Sequence, residues 1–380
     1  MGCDARRKIA NRKSQLANSM KAVIACGGTG GHIFPGLAVA EVLRGRGHEV
    51  MLFVSEKEID SVALSSHPEF QFEKLPTVGL PSPFSPAIVR FTQRFNESLS
   101  RCRQIYRKFQ PNAILGMGGF TSTAPVLAGR IRRVPTFIHE SNAFPGRANR
   151  MTARMVRAVL LGFGEAAQFF PRVKTEVTGT PIRSELQRLD RAEARRKLGL
   201  REDLHTLLVM GGSQGAAGIN QGMIKSLPSL QGEPFQVIHL SGVRDERLVA
   251  DNYLRENIPA YVAAFHHSME EVYSAADLAI ARSGAASLAE LAAFSLPSVL
   301  IPFPYAADDH QTRNAEIFTR VDAAIMLREG EISGDVLARK IRELINDEPR
   351  LRRMAENCAQ LAPKNAANLV VATMERYTQA

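Results

Sequence analysis

A chain of 380 residues with 45% hydrophobic and 23% charged residues has the makeup of an ordinary globular protein and the length for two domains. No apolar run reaches the roughly 18 residues a membrane-spanning helix needs, and the four cysteines stand far apart without Cys-x-x-Cys spacing, which argues against a zinc site or a redox dithiol. The net charge of +10 points to a negatively charged partner, while the absence of Trp and the presence of only six Tyr leave little to stack on exposed bases.

Residues 1–19 are basic and lack an apolar core, so they do not read as a secretory signal and are expected to form a disordered extension. From residue 20, short apolar runs alternate with amphipathic helical stretches. "AVIAC" runs into Gly27-Gly28-Thr29-Gly30-Gly31 and then His32. "VMLFVS", "NAILGMGG", "PTFIHES" and "AVLLGF" follow as strands, with a segment between the first two, Leu80 to Phe95, that sets Phe84, Ile88, Val89, Phe91 and Phe95 beside Arg90 and Arg94. Apolar wedges with basic flanks suit an anionic bilayer, and equally suit an ordinary amphipathic helix packed within a domain. Gly179 and Pro181 interrupt the pattern in "VTGTPIRSEL". A second series opens at "HTLLVMGGSQGAAGIN" and continues through "FQVIHLSG", "LAIARSG" and "SVLIPFP". Strands separated by helices imply parallel sheets covered on both faces, and two glycine-rich openings imply two doubly wound α/β domains. The expected boundaries are 20–180, 181–362 and a final helix over 363–380 that packs back on the first domain.

Three turns, "CGGTGGH", "GMGGFTS" and "GGSQGAAG", bring glycines to the carboxyl ends of strands. None matches Gly-x-Gly-x-x-Gly or the P-loop. Each nevertheless lets backbone N–H groups and a following helix N-terminus meet an anion, and in the third Ser213 and Gln214 add polar side chains suited to a diphosphate. A tight strand-to-helix turn explains any one of them as well. Ligands in such sheets bind beyond the carboxyl ends of the strands. The polar residues found there are His32, Glu140, Asn142, Arg183, His266, His267, Ser283, Ser287, Glu290, Asp308, Asp309, His310, Gln311 and Asn314. Helical spacing groups Glu290 with Ser287 and Ser283, and a carboxylate so placed suits a ribose diol. The contiguous Asp308-Asp309-His310 is not spaced as a metal set and reads equally as a helix start.

With "GGTGGHIFPGLAVAEVL", "GMGGFTSTAPVLAG", "HESNAFPGRANR", "GTPIR", "GGSQGAAGIN" and "RSGAASLAELAAFSLPSVLIPFPYAADDHQTRNA" in that order across residues 21 to 360, the sequence resembles the MurG family. These are the UDP-N-acetylglucosamine:lipid I N-acetylglucosaminyltransferases of bacterial peptidoglycan synthesis. The resemblance implies a GT-B fold of two Rossmann-like domains facing across a cleft, an inverting transfer of GlcNAc from UDP-GlcNAc to lipid I, and no required metal or other cofactor. It implies donor contacts at Thr29, Gly30, Gly31, Asn142, Arg183, Ser213, Gln214, His266, Ala286, Ser287, Glu290, Gln311 and Asn314. Among these, Ser213, Gln214 and Arg183 meet the diphosphate, His266 lies where backbone reads uracil, Ala286 and Ser287, with the neighbouring Ala285, face the phosphates, Glu290 holds the ribose, and Gln311 and Asn314 hold the sugar. His32 is implied as the catalytic residue on the acceptor side; a general base, a ligand of the acceptor diphosphate and a loop support all remain open for it. The implied partners are lipid I and the anionic cytoplasmic face of the inner membrane, with cell-wall synthesis and division proteins, and no nucleic acid. Phe120 stands where the family often has Tyr, and Thr180 where Asn is common. The alternative is another GT-B enzyme on a UDP-sugar, a diacylglycerol glycosyltransferase or a UDP-GlcNAc epimerase.

Overall fold

The computed structural model describes residues 19–56, 67–76, 79, 81, 85–212 and 215–378. The basic leader expected over residues 1–19 therefore falls, apart from Ser19, outside the described residues. By their internal packing the residues divide into two compact units, Met1–Arg183 with Lys364–Ala380, and Ser184–Pro363.

The first unit is built on strands β1 (Lys21–Ala25), β2 (Glu49–Ser55), β3 (Gln71–Leu75), β4 (Ala113–Gly116), β5 (Thr136–Glu140), β6 (Ala158–Leu161) and β7 (Thr175–Val177). They form one parallel sheet in the order β3-β2-β1-β4-β5-β6-β7, so the winding reverses between β1 and β4. Alternation along β1 fixes both faces. Ala22 and Ile24 join helix α1 (Gly30–Gly45) through Leu37, Val39 and Leu43. Val23 and Ala25 join helix α2 (Ala87–Phe109) through Cys102, Tyr106 and Phe109. Those residues recur at helical spacing, so α2 buries one stripe. It ends where Gln110 turns left-handed (φ 52°) ahead of Pro111. Shorter helices α3 (Thr123–Ile131) and α4 (Arg147–Thr152) follow β4 and β5.

The C-terminal helix, Ala366–Thr378, belongs to this unit. Its Val370, Val371 and Met374 are buried in the same cluster as Leu37 and Val39 of α1. Polar contacts fasten both its flanks. Glu375 takes Arg46 at 2.7 Å and His48 Nε2 at 2.8 Å, while Arg376 and Thr373 both reach Glu176 of β7, at 2.7 and 2.8 Å.

The second unit repeats the architecture with β8 (His205–Met210), β9 (Phe235–Leu240), β10 (Ala260–Ala263), β11 (Leu278–Ala281), β12 (Ser298–Leu300) and β13 (Ala324–Met326). The order is β10-β9-β8-β11-β12-β13, again all parallel, with the reversal between β8 and β11. Its helices are α5 (Arg191–Lys197), α6 (Ala217–Ser226), α7 (Glu246–Arg255), α8 (Met269–Ala275), α9 (Ala285–Ala293), α10 (His310–Arg320), α11 (Gly334–Ile345) and α12 (Glu348–Gln360). Leu207, Val209, Leu278 and Ile280 pack under Ile219 and Met223 of α6 and Leu337, Ile341 and Leu344 of α11. No described helix is long and apolar enough to cross a membrane.

Candidate active site

Each sheet has its crevice where the strand order reverses, beyond the carboxyl ends of the two central strands. In the first unit these ends are the Gly27–Thr29 loop after β1 and the Met117–Gly119 loop after β4. His32 lies in the first turn of α1 and rests on the second loop. A β-carbon added at Gly118 would lie 3.0 Å from its Nε2, and one at Gly119 would lie 3.2 Å from its Cε1. Both glycines have positive φ, +107° and +68°, so the bend that makes room for the ring is one that other residues resist. Thr29 sits at the N-cap of α1, yet its hydroxyl caps no backbone N–H and stands 3.2 Å from His32 Nδ1. When Nδ1–H donates to Thr29, the lone pair falls on Nε2, which is the form a base requires.

Ser122 locks the two loops together. Its buried Oγ accepts from Gly118 N–H at 3.2 Å and lies 2.7 Å from Gly118 O and 3.0 Å from Ala25 O. Beside them, β5 delivers a buried polar cluster. Glu140, 2% exposed, accepts four N–H groups: Asn142 N at 2.9 Å, Asn142 Nδ2 at 3.2 Å, Gly146 N at 3.0 Å and Asn149 Nδ2 at 2.9 Å. Burial pushes its carboxyl pKa up while those donors pull it down. Since every partner is a donor, the geometry demands the carboxylate. His139, fully buried, donates from Nε2 to Gly179 O at 2.9 Å, so its Nδ1 accepts from Ser141 Oγ at 3.1 Å. Burial drives its pKa down to about 4, which keeps it neutral.

Arg183 also belongs here. The boundary expected at residue 181 puts it in the second unit, whereas its packing puts it in the first, with the guanidinium 4.6 Å from the ring centroid of Phe34 in α1. The GMGGF loop carries Phe120, whose ring meets Phe91 of α2 edge-on at 5.8 Å; Phe91 stacks on Phe95 at 6.1 Å. An aromatic cluster therefore stands next to the loop that seats His32. Of the bilayer wedge read from the sequence, Phe91 and Phe95 are half buried in this cluster, Val89 is 60% exposed, and Phe84 lies outside the described residues.

In the second unit the crevice is framed by the loop after β8 and the turn from β11 into α9. Ser213 and Gln214, expected at the diphosphate, lie outside the described residues. Gly215 shows how tight the loop is, since a β-carbon there would stand 2.2 Å from the Ser241 carbonyl oxygen at the end of β9. Asn220 of α6 ties the helix to the same strand, donating to Ser241 O at 2.9 Å and Asp245 at 2.7 Å, and accepting from buried His239 Nε2 at 3.1 Å.

The helix starts differ in capping, and those of α2, α3, α4 and α10 share with α6 and α9 the lack of a capping side chain and of a first-turn acid. α5, α11 and α12 are capped by the side chains of Asp190, Ser333 and Asp347 and carry an acidic residue in their first turn. α7 and α8 also open with acidic residues. α6 and α9, at the reversal point, have Ala216 and Gly284 at the N-cap, no capping side chain and no acidic residue in the first turn. α1 in the first unit likewise has no acidic residue there. Their positive dipole ends favour an anion, and at α6 the Glu329 carboxylate already stands against Gly218 of the first turn.

On α9, Ala286 and Ser287 are half-buried in the first turn, and Glu290 one turn on accepts from Tyr273 OH at 2.7 Å. Gln311 and Asn314 serve the same turn from α10. Ser283 Oγ donates to Gln311 O at 2.8 Å, buried Asn314 Nδ2 donates to Ser283 O at 3.1 Å, and Gln311 Oε1 accepts Phe303 N–H at 2.9 Å. His266, after β10, lies between Tyr261 OH at 3.0 Å and Glu271 Oε2 at 3.3 Å.

Paired doubly wound sheets with glycine-rich crevices have counterparts among known proteins. Residues 22–161 match the glycosyltransferase family 28 N-terminal domain, and residues 206–370 match the family 28 C-terminal domain. A relative from Halothermothrix orenii is 37% identical over 368 residues, covering 94% of this chain and 98% of its own length. One from Geobacter sulfurreducens is 38% identical over 365 residues, covering 95% and 99%. Both are named UDP-N-acetylglucosamine--N-acetylmuramyl-(pentapeptide) pyrophosphoryl-undecaprenol N-acetylglucosamine transferase. The chain belongs to the MurG family. A crystal structure of MurG from Acinetobacter baumannii matches with a TM-score of 0.75 at 26% identity, covering 94% of this chain and 99% of that one.

Within this MurG-family fold, the sequence-nominated residues fall into two groups. Thr29, Gly30, Gly31, His32, Asn142 and Arg183 gather at or beside the first crevice, and Ala286, Ser287, Glu290, Gln311 and Asn314 at the second. His266 stands apart from the reversal point, after the edge strand β10. Asn149, which shares Glu140 with Asn142, and Tyr273, which binds Glu290, were not nominated. Asn149 lies within "HESNAFPGRANR", beside Asn142; Tyr273 is separated from its partner by 17 residues with no spacing to signal it.

Proposed function

We infer that this chain transfers GlcNAc from UDP-GlcNAc to the C4 hydroxyl of MurNAc in undecaprenyl-pyrophosphoryl-MurNAc-pentapeptide, lipid I, giving lipid II and UDP. The observation that carries the reading is whole-length similarity to relatives of that name, joined to helix starts left uncapped at both crevices. In the inverting step the C4 oxygen attacks C1 of GlcNAc, the C1–O bond to the diphosphate breaks, and the C4 proton passes to His32 Nε2, oriented by Thr29. Charge growing on the leaving diphosphate is met by the N-termini of α6 and α9 without a divalent cation. Glu290 takes the ribose hydroxyls, His266 marks the uracil side, and Ser213, Gln214, Ala286, Ser287, Gln311 and Asn314 complete the donor cradle. Arg183, seated on Phe34, lends positive charge to the first-unit loop. Incubation with UDP-GlcNAc and a lipid I analogue, followed by mass spectrometry, is expected to yield acceptor heavier by one N-acetylhexosamine, with undiminished turnover in EDTA. Conversion of UDP-GlcNAc to its 2-epimer without acceptor would favour the epimerase reading.

The lipid acceptor supports a peripheral location at the cytoplasmic membrane face, and the charge pattern supports where the chain docks. Between Ser98 and Gly164, eleven Arg and Lys residues stand against one acidic residue, Glu140, which is buried. Arg130, Arg133, Arg154 and Arg157 line a hollow of about 700 Å³ with no acidic residue among its lining residues. Ile131 and Met151 are exposed beside them. Each arginine near an anionic bilayer contributes about 1 kcal/mol. Reversing two of them, Arg133→Glu with Arg154→Glu, is expected to cut binding to phosphatidylglycerol vesicles at least roughly tenfold. Turnover on a soluble acceptor is expected to persist, and unchanged vesicle binding would remove this docking face.

A further inference from the structure

Helix α6 carries Gly218 and Gly222, four residues apart on one face, although helix interiors disfavour glycine. Each stands where a side chain would collide. A β-carbon at Gly222 would lie 2.7 Å from Cγ2 of Ile332, and one at Gly218 would lie 2.8 Å from Oε2 of Glu329 and closer still to its Cδ and Oε1. Residues 329–332, which follow β13, are therefore seated directly on the backbone of α6 and bring a carboxylate to its first turn. Arg282, just past the end of β11, holds that carboxylate. The arginine Nη2 stands 2.5 Å from Glu329 Oε2, off the axis of a hydrogen bond, while Nη1 donates to the carbonyls of Ile301 and Pro302 at 3.2 Å each. The guanidinium also lies 5.4 Å from the ring centroid of Phe303. Arg282 is buried and pinned at several points, whereas the Glu329 side chain is 27% exposed and meets water in part.

We propose that Glu329 is a charge-tuning group for the donor diphosphate: its carboxylate, held by Arg282, offsets part of the positive end of α6 and weakens the grip of that helix on UDP, so that the product leaves. This rests on the reading that places the donor diphosphate at the start of α6. The first turn of α6 holds no acidic residue of its own. A carboxylate needed only to satisfy the helix dipole sits as well within the helix, as it does in the first turns of α5, α11 and α12. Here the charge comes from elsewhere in the chain and is countered by a buried arginine that stays when the carboxylate is neutralised. Removing the negative charge therefore leaves a positive one, and an anion at this end of the sheet binds more tightly.

The test compares UDP with uridine, which lacks the diphosphate. Affinities of the full-length protein are measured by titration calorimetry, uridine by competition against UDP, for wild type and Glu329→Gln. Wild type is expected to prefer UDP; a wild type with no such preference would overturn the diphosphate assignment, and the proposal with it. Glu329→Gln is expected to tighten UDP roughly fivefold, the scale of one charge at a helix terminus, and to leave uridine unchanged. The KM for UDP-GlcNAc and the inhibition constant for UDP are expected to fall with it. Unchanged or looser UDP binding, or the same change on both ligands, would make Glu329 a structural partner of Arg282 and overturn the proposal while leaving the donor reading intact. If the Gln variant does not fold, Gly218→Ala takes its place, since alanine suits the helix and its β-carbon pushes the Glu329 carboxylate off the first turn. The preference for UDP over uridine must then rise, and an unchanged or smaller preference would refute the tuning role.

Discussion

Glu140→Gln is the sharpest perturbation of the first-unit crevice. The carboxylate accepts two N–H groups on each oxygen, and both of Oε2's, from Gly146 and Asn149, face an amide NH₂ if Gln keeps its oxygen at Oε1. Turning the amide over moves the conflict to Asn142. Either way two charge-assisted bonds are lost and donors are set against donors; hydrogen bonds to charged groups are worth ~1.5–3 kcal/mol each. Removal of a buried charge, whose desolvation pushes the Glu140 pKa up, returns part of this. The net cost is about 3 kcal/mol, or roughly 6–10 °C in the melting of a unit of this size. Thermal unfolding reads the shift, and hydrogen exchange localises it: Asn142 and Gly146 amides lose protection while strands β8 and β11 do not. A melting point within about 1 °C of wild type, with exchange unaltered, would refute the idea that this carboxylate holds the Asn142 loop.

Thr29→Val removes the oxygen beside His32 Nδ1 and is expected to lower kcat about tenfold with the KM for UDP-GlcNAc unchanged; an unchanged kcat would detach Thr29 from His32. Met374→Ala, in the buried face of the C-terminal helix, is expected to cost ~2–5 kcal/mol, seen as earlier melting and faster exchange in β1 and α1. The buried histidines give an acid dependence. Burial lowers His139 to about 4 and His239 to about 3, against about 6.5 in the unfolded chain. Both states are neutral above pH 6.5, so the full stability is present there; as pH falls toward 4 the unfolded chain takes up protons first, and stability drops by roughly 3 kcal/mol per histidine. Urea unfolding at pH 7 and pH 4.5 checks this, and His139→Gln is expected to flatten the difference.

The apolar runs read from the sequence are the nine interior strands of the two sheets, because an interior parallel strand is buried on both faces. The four strands that gave no such signal, β3, β7, β10 and β13, are the four edges. "QFEKL" and "TEV" are largely exposed or half buried, and an edge strand with one wet side carries no continuous apolar run. At the site, glycine placement made the crevices legible, since chain reversal beside a ligand demands it. What stayed hidden depends on tertiary geometry. Arg183 falls with the first unit because it packs on Phe34; Asn314 is buried on the Ser283 carbonyl; Tyr273 meets Glu290 across two helices.

The most direct test is UDP release from UDP-GlcNAc with and without a lipid I analogue, in wild type and His32→Ala. Release is expected to require the analogue and to give product bearing GlcNAc on MurNAc, and turnover is expected to collapse in the variant with UDP binding retained. Release without acceptor, or a variant as active as wild type, would contradict it.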